Sequence, residues 1–280
     1  MKSVIQSLLT AAGLETEGLV VQPIAGGDIN QAYHCETDHG HYFLKLNEAD
    51  EQPMFVAERH ALTILQHEGG LRTPEPLAVS VVTDHSALIL RYEALTRLSP
   101  ETAFAAGKAL AHCHQALNRH YGWSHDNFIG TTNQINTETT DWPSFFIEQR
   151  IRPQLDLLQH PHLTMDHPGL RRLLRCLEGH QPPASLLHGD LWSGNLAAAS
   201  DGSPIFFDPA SYYGDRETDI AMTELFGGFS IDFYQGYESV WPLEPGYAQR
   251  RDLYQLYHVL NHANLFGSTY VQRALRICGG

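Results

Sequence analysis

The spacing of apolar residues in the first third of the chain predicts two helices and several short strands. Apolar positions over residues 4–12 recur at i and i+4, which indicates an amphipathic helix. Helical spacing returns over residues 49–68, where Gly69 and Gly70 end it. Strands are predicted at 19–24, 32–37, 41–46, 78–82 and 87–92.

From residue 99 onward the pattern is almost entirely helical. Helical runs are predicted at 99–117, 142–159, 167–177, 217–226 and 250–266. The pattern changes near residues 93–97, and no internal repeat or long flexible linker divides the chain. The expected fold is therefore α+β and bilobal. A small antiparallel β-rich lobe with one key helix would occupy residues 1–92, and a larger helical lobe residues 93–280.

Composition and charge limit the classes of partner and compartment. The chain has 18 Lys and Arg against 32 Asp and Glu, a formal net charge of −14, so nucleic acid and anionic membranes are not expected as partners. The four cysteines are far apart and form no C-x-x-C pair, which favours free thiols in a reducing compartment. No run approaches the ~18 apolar residues of a membrane span, and no signal peptide is evident. The expected location is the cytoplasm.

The strongest chemical signal is a polar loop that follows an apolar strand end at residues 186–195. Asp190 and Asn195 have the D-x-x-x-x-N spacing of a kinase catalytic loop, in which the Asp takes the proton of the acceptor hydroxyl and the Asn holds Mg²⁺. A second short apolar strand ends in Asp208, the natural second Mg²⁺ ligand. Phosphoryl transfer needs both functions, because the charge must be neutralised while the hydroxyl is held in line.

Two simpler interpretations compete with this one. A single Asp at a strand end most often only caps a turn, but three matched positions in this order weaken that interpretation. A hydrolytic metal site built from His188 and Asp190 would lack the helical H-E-x-x-H spacing of zinc hydrolases. Phosphoryl transfer is therefore the favoured chemistry.

Lys45 lies inside the apolar strand 42–46 and is one of only three lysines in the chain. An ammonium group placed there needs a counter-charge. Glu58 shares the apolar face of the helix predicted at 49–68, three residues after Phe55, so it can supply that charge. In kinases such an ion pair places the lysine on the α- and β-phosphates. The alternative is that Lys45 reaches solvent from an edge strand.

A turn containing Gly26, Gly27 and Asp28 precedes Lys45 along the chain. Backbone N–H groups in such a turn can cover the phosphates of a nucleotide. Most Gly-Gly pairs are plain turns, however, and neither the full G-x-G-x-x-G spacing nor a Walker-type P-loop is present. The position of the turn before the lysine is what favours a nucleotide site.

With these residues assembled, the sequence resembles the fructosamine kinase family, also called ketosamine kinases, over nearly its whole length. The matching runs are 26–33, 141–146, 187–195, 207–215, 221–229 and 254–267. The most specific is HGDLWSGN followed by FDPA, which separates this family from the aminoglycoside and choline kinases. The resemblance implies a protein-kinase-like fold with ATP and Mg²⁺ between the lobes. The turn resembles that of bacterial-type members and carries no cysteine, so redox control through a thiol there is not expected.

The resemblance also implies a reaction. Members of the family use ATP to phosphorylate ketosamines, the Amadori products of a sugar and an amine, on the O3 hydroxyl. The product falls apart and frees the amine, which amounts to repair of glycation. The partner of this chain would therefore be a small ketosamine or a glycated amine or protein. The sequence carries no signal of oligomeric state.

Roles for individual residues follow from the same resemblance. The positions that match the family's functional residues are Lys45, Glu58, Asp190, Asn195 and Asp208. The turn at residues 26–28 would cover the phosphates, and the chain from Glu93 to Leu95 would lie against the adenine. Residues expected at the substrate are Trp192, Asn261 and His262. Each of these three also has a simpler interpretation, as a packed loop aromatic or as a polar residue of a helix.

Two other functions stay open at this point. One is a kinase for another small alcohol, such as an aminosugar or an amino alcohol, which a panel of substrates would distinguish. The other, from a different class, is a pseudokinase or ATP-binding interaction module. Such modules usually lose the residues that are intact here at positions 45, 190, 195 and 208.

Overall fold

The computed structural model describes residues 1–24 and 29–279. The turn predicted to cover the phosphates, at Gly26, Gly27 and Asp28, lies outside the described residues. Its role therefore stays a prediction.

A five-stranded antiparallel sheet forms most of the N-terminal part. Its strands are β1 (Val20–Ile24), β2 (Gln31–Thr37), β3 (Gly40–Glu48), β4 (Pro76–Val82) and β5 (His85–Arg91). They lie in the order β1-β2-β3-β5-β4, so β3 is central. Lys45 of β3 is paired with Ala32 on one side and Leu88 on the other. The alternative that placed Lys45 on an edge strand is therefore wrong.

One helix covers each face of this sheet. α1 (Lys2–Ala11) packs against the face that carries Leu44, and α2 (Gln52–His67) packs Phe55 against the opposite face, which carries Phe43. Side chains alternate along a strand, so Lys45 shares the α2 face with Phe43. This alternation directs Lys45 toward the helix that carries Glu58.

The remainder of the chain is mostly helical. Its α-helices are α3 (Pro100–His114), α4 (Trp142–Phe146), α5 (Arg152–Leu158), α6 (Pro168–Leu174), α7 (Glu217–Thr223), α8 (Ile231–Glu238), α9 (Tyr247–Phe266) and α10 (Ser268–Gly279). A π-helical turn (Ile147–Ile151) joins α4 to α5, and 3₁₀ segments lie at Ala49–Glu51 and Arg175–Leu177. Ser99 and Asp141 cap α3 and α4, because each side chain accepts a backbone N–H three residues later.

Short strands carry the polar loops of the helical part. They are β6 (Leu117–Asn118), β7 (Asn127–Ile129), β8 (Thr132–Gln134), β9 (Ala184–Leu186), β10 (Leu196–Ala198), β11 (Pro204–Phe206) and β12 (Tyr213–Gly214). In the hairpin of β10 and β11, Leu196 pairs with Phe206. The next residues outward, Asn195 and Phe207, are therefore neighbours, and the backbone N–H of Phe207 donates to the backbone oxygen of Asn195. Asp208 follows Phe207, so the hairpin brings it close to Asn195.

Two glycines allow α3 and α8 to approach closely. A Cβ on Gly107 would lie 1.9 Å from the backbone oxygen of Phe233, and one on Gly236 would lie 2.1 Å from the backbone oxygen of Phe104. Any larger residue at either position would push the helices apart. Gly107 and Gly236 are thus part of the contact between these two helices.

The α+β architecture predicted from the hydrophobic pattern is confirmed, and so is each predicted strand of the N-terminal sheet. Two helices, α8 and α10, were not predicted. All four cysteines are free thiols. In the described part of the chain, no helix has the length and apolar character needed to cross a membrane. The division of the chain between residues 92 and 93 stays a prediction.

Candidate active site

A buried ammonium group lies at the centre of the site. Lys45 Nζ donates to Glu58 Oε1 on α2 and to Asp208 Oδ1, in both cases over 2.6 Å. Only 10% of the Lys45 side chain is exposed. Burial alone would lower the pKa of Lys45, but the charges of Asp208 and Glu58 outweigh it and raise the pKa above its usual value. Lys45 is therefore charged, and the predicted contact with Glu58 is present.

The loop after β9 is held by a buried carboxylate that no sequence pattern singled out. Asp219 on α7 accepts the backbone N–H of His188 at 2.7 Å and that of Gly189 at 2.8 Å. Gly189 has a φ of +85°, and a Cβ there would lie 2.0 Å from the backbone oxygen of Ala210, so only glycine fits. These contacts orient the backbone that leads into Asp190.

His114 and Tyr237 complete this buried network. His114 Nε2 lies 3.1 Å from Asp219 Oδ2, and His114 Nδ1 lies 2.8 Å from Tyr237 Oη. Burial raises the pKa of Asp219, but its hydrogen bond to His114 and the nearby histidine charges outweigh that effect and lower it. In the sequence Asp219 is only one more acidic residue in the first turn of a helix, where such residues are common.

Asn195 and Asp208 meet at one end of the β10–β11 hairpin. Asn195 Nδ2 donates to the backbone oxygen of Asp190 at 2.8 Å and contacts that of Asp208 at 3.4 Å. Among the described residues, none donates to Asn195 Oδ1 or to Asp208 Oδ2. Asp208 also has a φ of +57°, a sparsely populated conformation for a residue with a side chain. Two oxygen atoms are thus available for a ligand at this point.

Asp190 lies beside these groups in largely buried surroundings. Its side chain is 22% exposed, and Asp190 Oδ2 lies 3.4 Å from Asn195 Nδ2. Burial, followed by the charges of Asp208 and Asp219, raises the pKa of Asp190 to about 7. A carboxyl with that pKa is matched to proton transfer near neutral pH.

The segment predicted to lie against the adenine runs along one wall of a cavity of ≈ 650 Å³. Leu95 and Ser193 are among the lining residues. The carboxylate of Glu93 accepts two hydrogen bonds from Arg72, both at 3.2 Å. Glu93 could therefore reach a nucleotide only through its backbone. Thr96 exchanges two backbone hydrogen bonds with Ala198 of β10, which ties this segment to the helical part.

The residues predicted at the substrate have different surroundings. Trp192 is 39% exposed and packs edge-on against Phe226, with ring centroids 6.3 Å apart. Phe226 in turn contacts the ring of His262 at 4.7 Å. Asn261 is buried, and its amide bonds to Gln154 and to a backbone oxygen. Trp192 and His262 thus belong to one aromatic wall, and Asn261 is engaged inside the helical part.

His258 on α9 is a further buried group near Asp190. Its Nδ1 lies 4.0 Å from Asp190 Oδ1. Burial, with a smaller contribution from His262, lowers the pKa of His258 to about 3. The ring is therefore neutral in the folded protein at any pH at which the protein would be assayed.

This lowered pKa predicts a pH-dependent stability that a His258→Asn variant should lose. The unfolded chain binds a proton at His258 below about pH 6.5, whereas the folded chain does so only near pH 3. The contribution of His258 to the free energy of unfolding therefore falls by about 1.4 kcal/mol per pH unit as the pH decreases from about 6.5 toward 3. Relative to His258→Asn, the wild type should lose about 2 kcal/mol between pH 7.5 and pH 5. Urea unfolding at both pH values measures the difference, and parallel changes in the two proteins would contradict it.

A second group of titratable side chains, His180, Asp215 and Glu217, has ligand atoms within 4.8 Å of one another. Their polar atoms already have partners within the protein. Asp215 Oδ2 lies 2.7 Å from His180 Nε2 and accepts the hydroxyl of Tyr254 at 2.6 Å. Both oxygens of Glu217 accept from Arg250 at 2.7 Å. This group stabilises the packing of α7 on α9 and offers no free ligand set.

Comparison with known proteins gives a consistent result. The family described as Fructosamine kinase matches residues 1–279. A protein of Vibrio parahaemolyticus named probable ketoamine kinase is 44% identical over 257 residues, which cover 90% of this chain and 88% of the relative. A chloroplastic protein-ribulosamine 3-kinase of Oryza sativa subsp. indica is 38% identical over 98% of this chain and 82% of its own.

Solved structures agree with these relatives. A Haemophilus somnus protein designated a candidate fructosamine-3-kinase superposes with a TM-score of 0.90 at 28% identity, covering 100% of this chain and 97% of its own. An aminoglycoside phosphotransferase bound to ADP and hygromycin B gives a TM-score of 0.61 at 18% identity, over 99% of this chain and 97% of its own. At that identity the second likeness shows the fold alone, and it confirms the protein-kinase-like fold.

Proposed function

Because this chain belongs to the fructosamine kinase family and is therefore a phosphotransferase that acts on an alcohol group, we propose that it phosphorylates ketosamines on the O3 hydroxyl with ATP. One observation carries the proposal. A buried ammonium, a carboxylate with a raised pKa and a pair of free oxygen ligands are joined by a short chain of contacts, from Lys45 to Asp208, from Asp208 to Asn195 and from Asn195 to Asp190. This is the set of groups that phosphoryl transfer requires.

In this proposal Asp190 is the catalytic base. Its carboxylate would accept the proton of the acceptor hydroxyl as that oxygen attacks the γ-phosphorus, while the bond from this phosphorus to the bridging oxygen breaks and ADP leaves. The raised pKa of Asp190 supports the role, because a base works best when its pKa lies near the working pH. Lys45, held by Glu58, would place its charge on the phosphates of the nucleotide. The turn at residues 26–28 would cover the same phosphates, and the backbone of Glu93 and Leu95 would contact the adenine.

Asn195 and Asp208 would hold Mg²⁺. The donor set fits this cation, because Mg²⁺ prefers oxygen ligands such as those of carboxylates and amides. Each of the two residues also has one side-chain oxygen to which no described residue donates a hydrogen bond. When bound, the cation neutralises charge on the transferred group. Asp208 also shares Lys45 with Glu58, and the two carboxylates keep the lysine charged and in position.

Trp192 and His262 would flank the sugar. Trp192 follows the base by two residues and is exposed, and its contact with Phe226 leads to His262. An aromatic surface suits the C–H face of a sugar, and a π-face also attracts the cationic amine of a ketosamine. We leave Asn261 out of the substrate site, because reaching a ligand would break its buried hydrogen bonds.

The chemistry of the product supports a repair role, and we propose that the protein acts in the cytoplasm. A phosphate on O3 lies next to the carbonyl carbon, where it can leave from the enaminol form of the ketosamine, after which hydrolysis releases the amine. A small ketosamine and a glycated protein would both be substrates, since both present the same sugar atoms. Substrates of this kind form wherever reducing sugars meet amines.

The test is turnover of ATP with synthetic ribulosamine and fructosamine, with ³¹P and ¹³C NMR used to locate the phosphate. We expect phosphorylation at O3 and subsequent release of the amine. The matched control is the same ketosamine without the 3-hydroxyl, which should not be phosphorylated. Choline and an aminosugar serve as substrates for the alternative of another small-alcohol kinase. Faster turnover of either one would replace the proposal, and the absence of any phosphoryl transfer would favour a pseudokinase.

A further inference from the structure

One face of α9 is directed at the polar interior of the helical part. Tyr254, Tyr257, His258 and Asn261 fall at i, i+3, i+4 and i+7, so they share this face. The hydroxyls of the two tyrosines and the amide of Asn261 each have a polar partner, at 2.6, 2.7 and 3.3 Å. His258 is the exception, because its Nδ1 is buried with no hydrogen-bond partner in the described chain.

The atom that faces His258 is unpaired as well. Asp190 Oδ1 is buried and, among residues 1–24 and 29–279, has no hydrogen-bond partner. The distance of 4.0 Å between His258 Nδ1 and Asp190 Oδ1 is about 1 Å too long for a hydrogen bond. Buried polar atoms are rarely left unpaired in native proteins, and two that face each other require an explanation.

Among the described residues, none donates to the carboxylate of Asp190 over less than 3.4 Å. Asn195 makes its short hydrogen bond, 2.8 Å, to the backbone oxygen of Asp190, and only a 3.4 Å contact to the outer oxygen, Oδ2. The network around Asp219 orients the backbone before Asp190 but does not touch its side chain. The backbone of the base is thus well supported, while its carboxylate depends on whatever lies at Oδ1.

We propose that His258 is a positioning residue for the base: its Nδ1–H donates to Asp190 Oδ1 when the cleft is loaded, so that Oδ2 is turned toward the acceptor hydroxyl. The inference rests on the proposed function, since it takes Asp190 as the base. The neutral ring is suited to the task because it carries one proton, which the hydrogen bond places on Nδ1. The backbone oxygen of His258 lies 2.8 Å from His262 Nδ1, which links the same turn of α9 to the aromatic wall.

Turnover of the best ketosamine by two variants tests the proposal. His258→Leu removes the donor, and a base misplaced by about 1 Å should lower kcat about 10- to 100-fold with the KM for ATP and for ketosamine nearly unchanged. His258→Asn returns an N–H close to the position of Nδ1 and should recover most of the lost kcat. The matched control is Val259→Ala, which weakens buried packing on the same helix without touching a polar group. It should keep the wild-type kcat.

Three kinetic outcomes would overturn the inference. One is a His258→Asn variant as slow as His258→Leu, and another is a wild-type kcat in His258→Leu, since each would show that the N–H is not what matters. The third is an equal loss of kcat in Val259→Ala, which would assign the effect to packing.

A spectroscopic test separates this inference from the proposed function. Long-range ¹H–¹⁵N spectra of the whole protein, assigned by comparison with His258→Asn, report which ring nitrogen carries the proton. We expect the Nδ1–H tautomer in the presence of ADP and Mg²⁺, and the Nε2–H tautomer would overturn the inference. This result stands even if no ketosamine is turned over, an outcome that would refute the substrate assignment alone.

Discussion

The Asp190→Asn variant is expected to lose about 10²- to 10⁴-fold in kcat while binding ATP nearly as well as the wild type. Asn has almost the shape of Asp, so the substitution removes the proton acceptor and little else. The ion pair that would contact the nucleotide joins Lys45 to Asp208 and does not include Asp190, so nucleotide binding should not depend on Asp190. Steady-state kinetics with a ketosamine and a calorimetric titration with nucleotide measure the two quantities separately.

The control for this variant is Asp252→Asn, an exposed carboxylate on α9 that changes the net charge by the same amount. It should behave as the wild type in both measurements. Full turnover by Asp190→Asn would remove Asp190 from the role of base. A parallel loss of nucleotide binding would instead mean that the substitution disturbs the whole loop.

Short-range patterns account for the parts that the sequence predicts well. The strand that holds Lys45 is visible because its neighbours are apolar, and Glu58 is assigned to the sheet-facing side of α2 by helical periodicity alone. Their contact joins residues only 13 apart in sequence. The resemblance to the fructosamine kinase family, which is confirmed, likewise depends on contiguous runs of sequence.

What the sequence does not predict depends on contacts between distant segments or on weak apolar signals. The second partner of Lys45, Asp208, is 163 residues away, and the acceptor for the loop backbone, Asp219, belongs to a helix with nothing unusual in its sequence. Helix α8 buries only a few residues, such as Phe233, so its periodicity is faint. Helix α10 is different, because Val271, Ala274, Leu275 and Cys278 share one face, and this helical pattern could have been recognised. Contacts between distant segments leave no local pattern of that kind.

The central position of Lys45 gives the second large prediction. Lys45→Met is expected to lower kcat/KM for ATP about 10²- to 10³-fold, because a preorganised charge aimed at the phosphates is lost. It also leaves Glu58 and Asp208 without their shared counter-ion. Since Asp208 is 46% exposed, the cost in stability should fall near the lower end of the usual range for breaking a buried pair, about 3 kcal/mol. Kinetics in ATP and urea unfolding measure the two effects.

Two further variants keep this prediction decisive if Lys45→Met folds poorly. Lys45→Arg preserves the charge, so it should keep most of the free energy of unfolding. Its planar guanidinium is larger than the ammonium, which lies 2.6 Å from both carboxylates, and cannot occupy the same position. The kcat/KM for ATP should therefore still fall. Lys108→Met alters an exposed lysine of α3 and should change neither quantity. Wild-type kcat/KM in both Lys45 variants would show that the ammonium group only neutralises its two neighbours, and the phosphate-binding role would have to be assigned to another group.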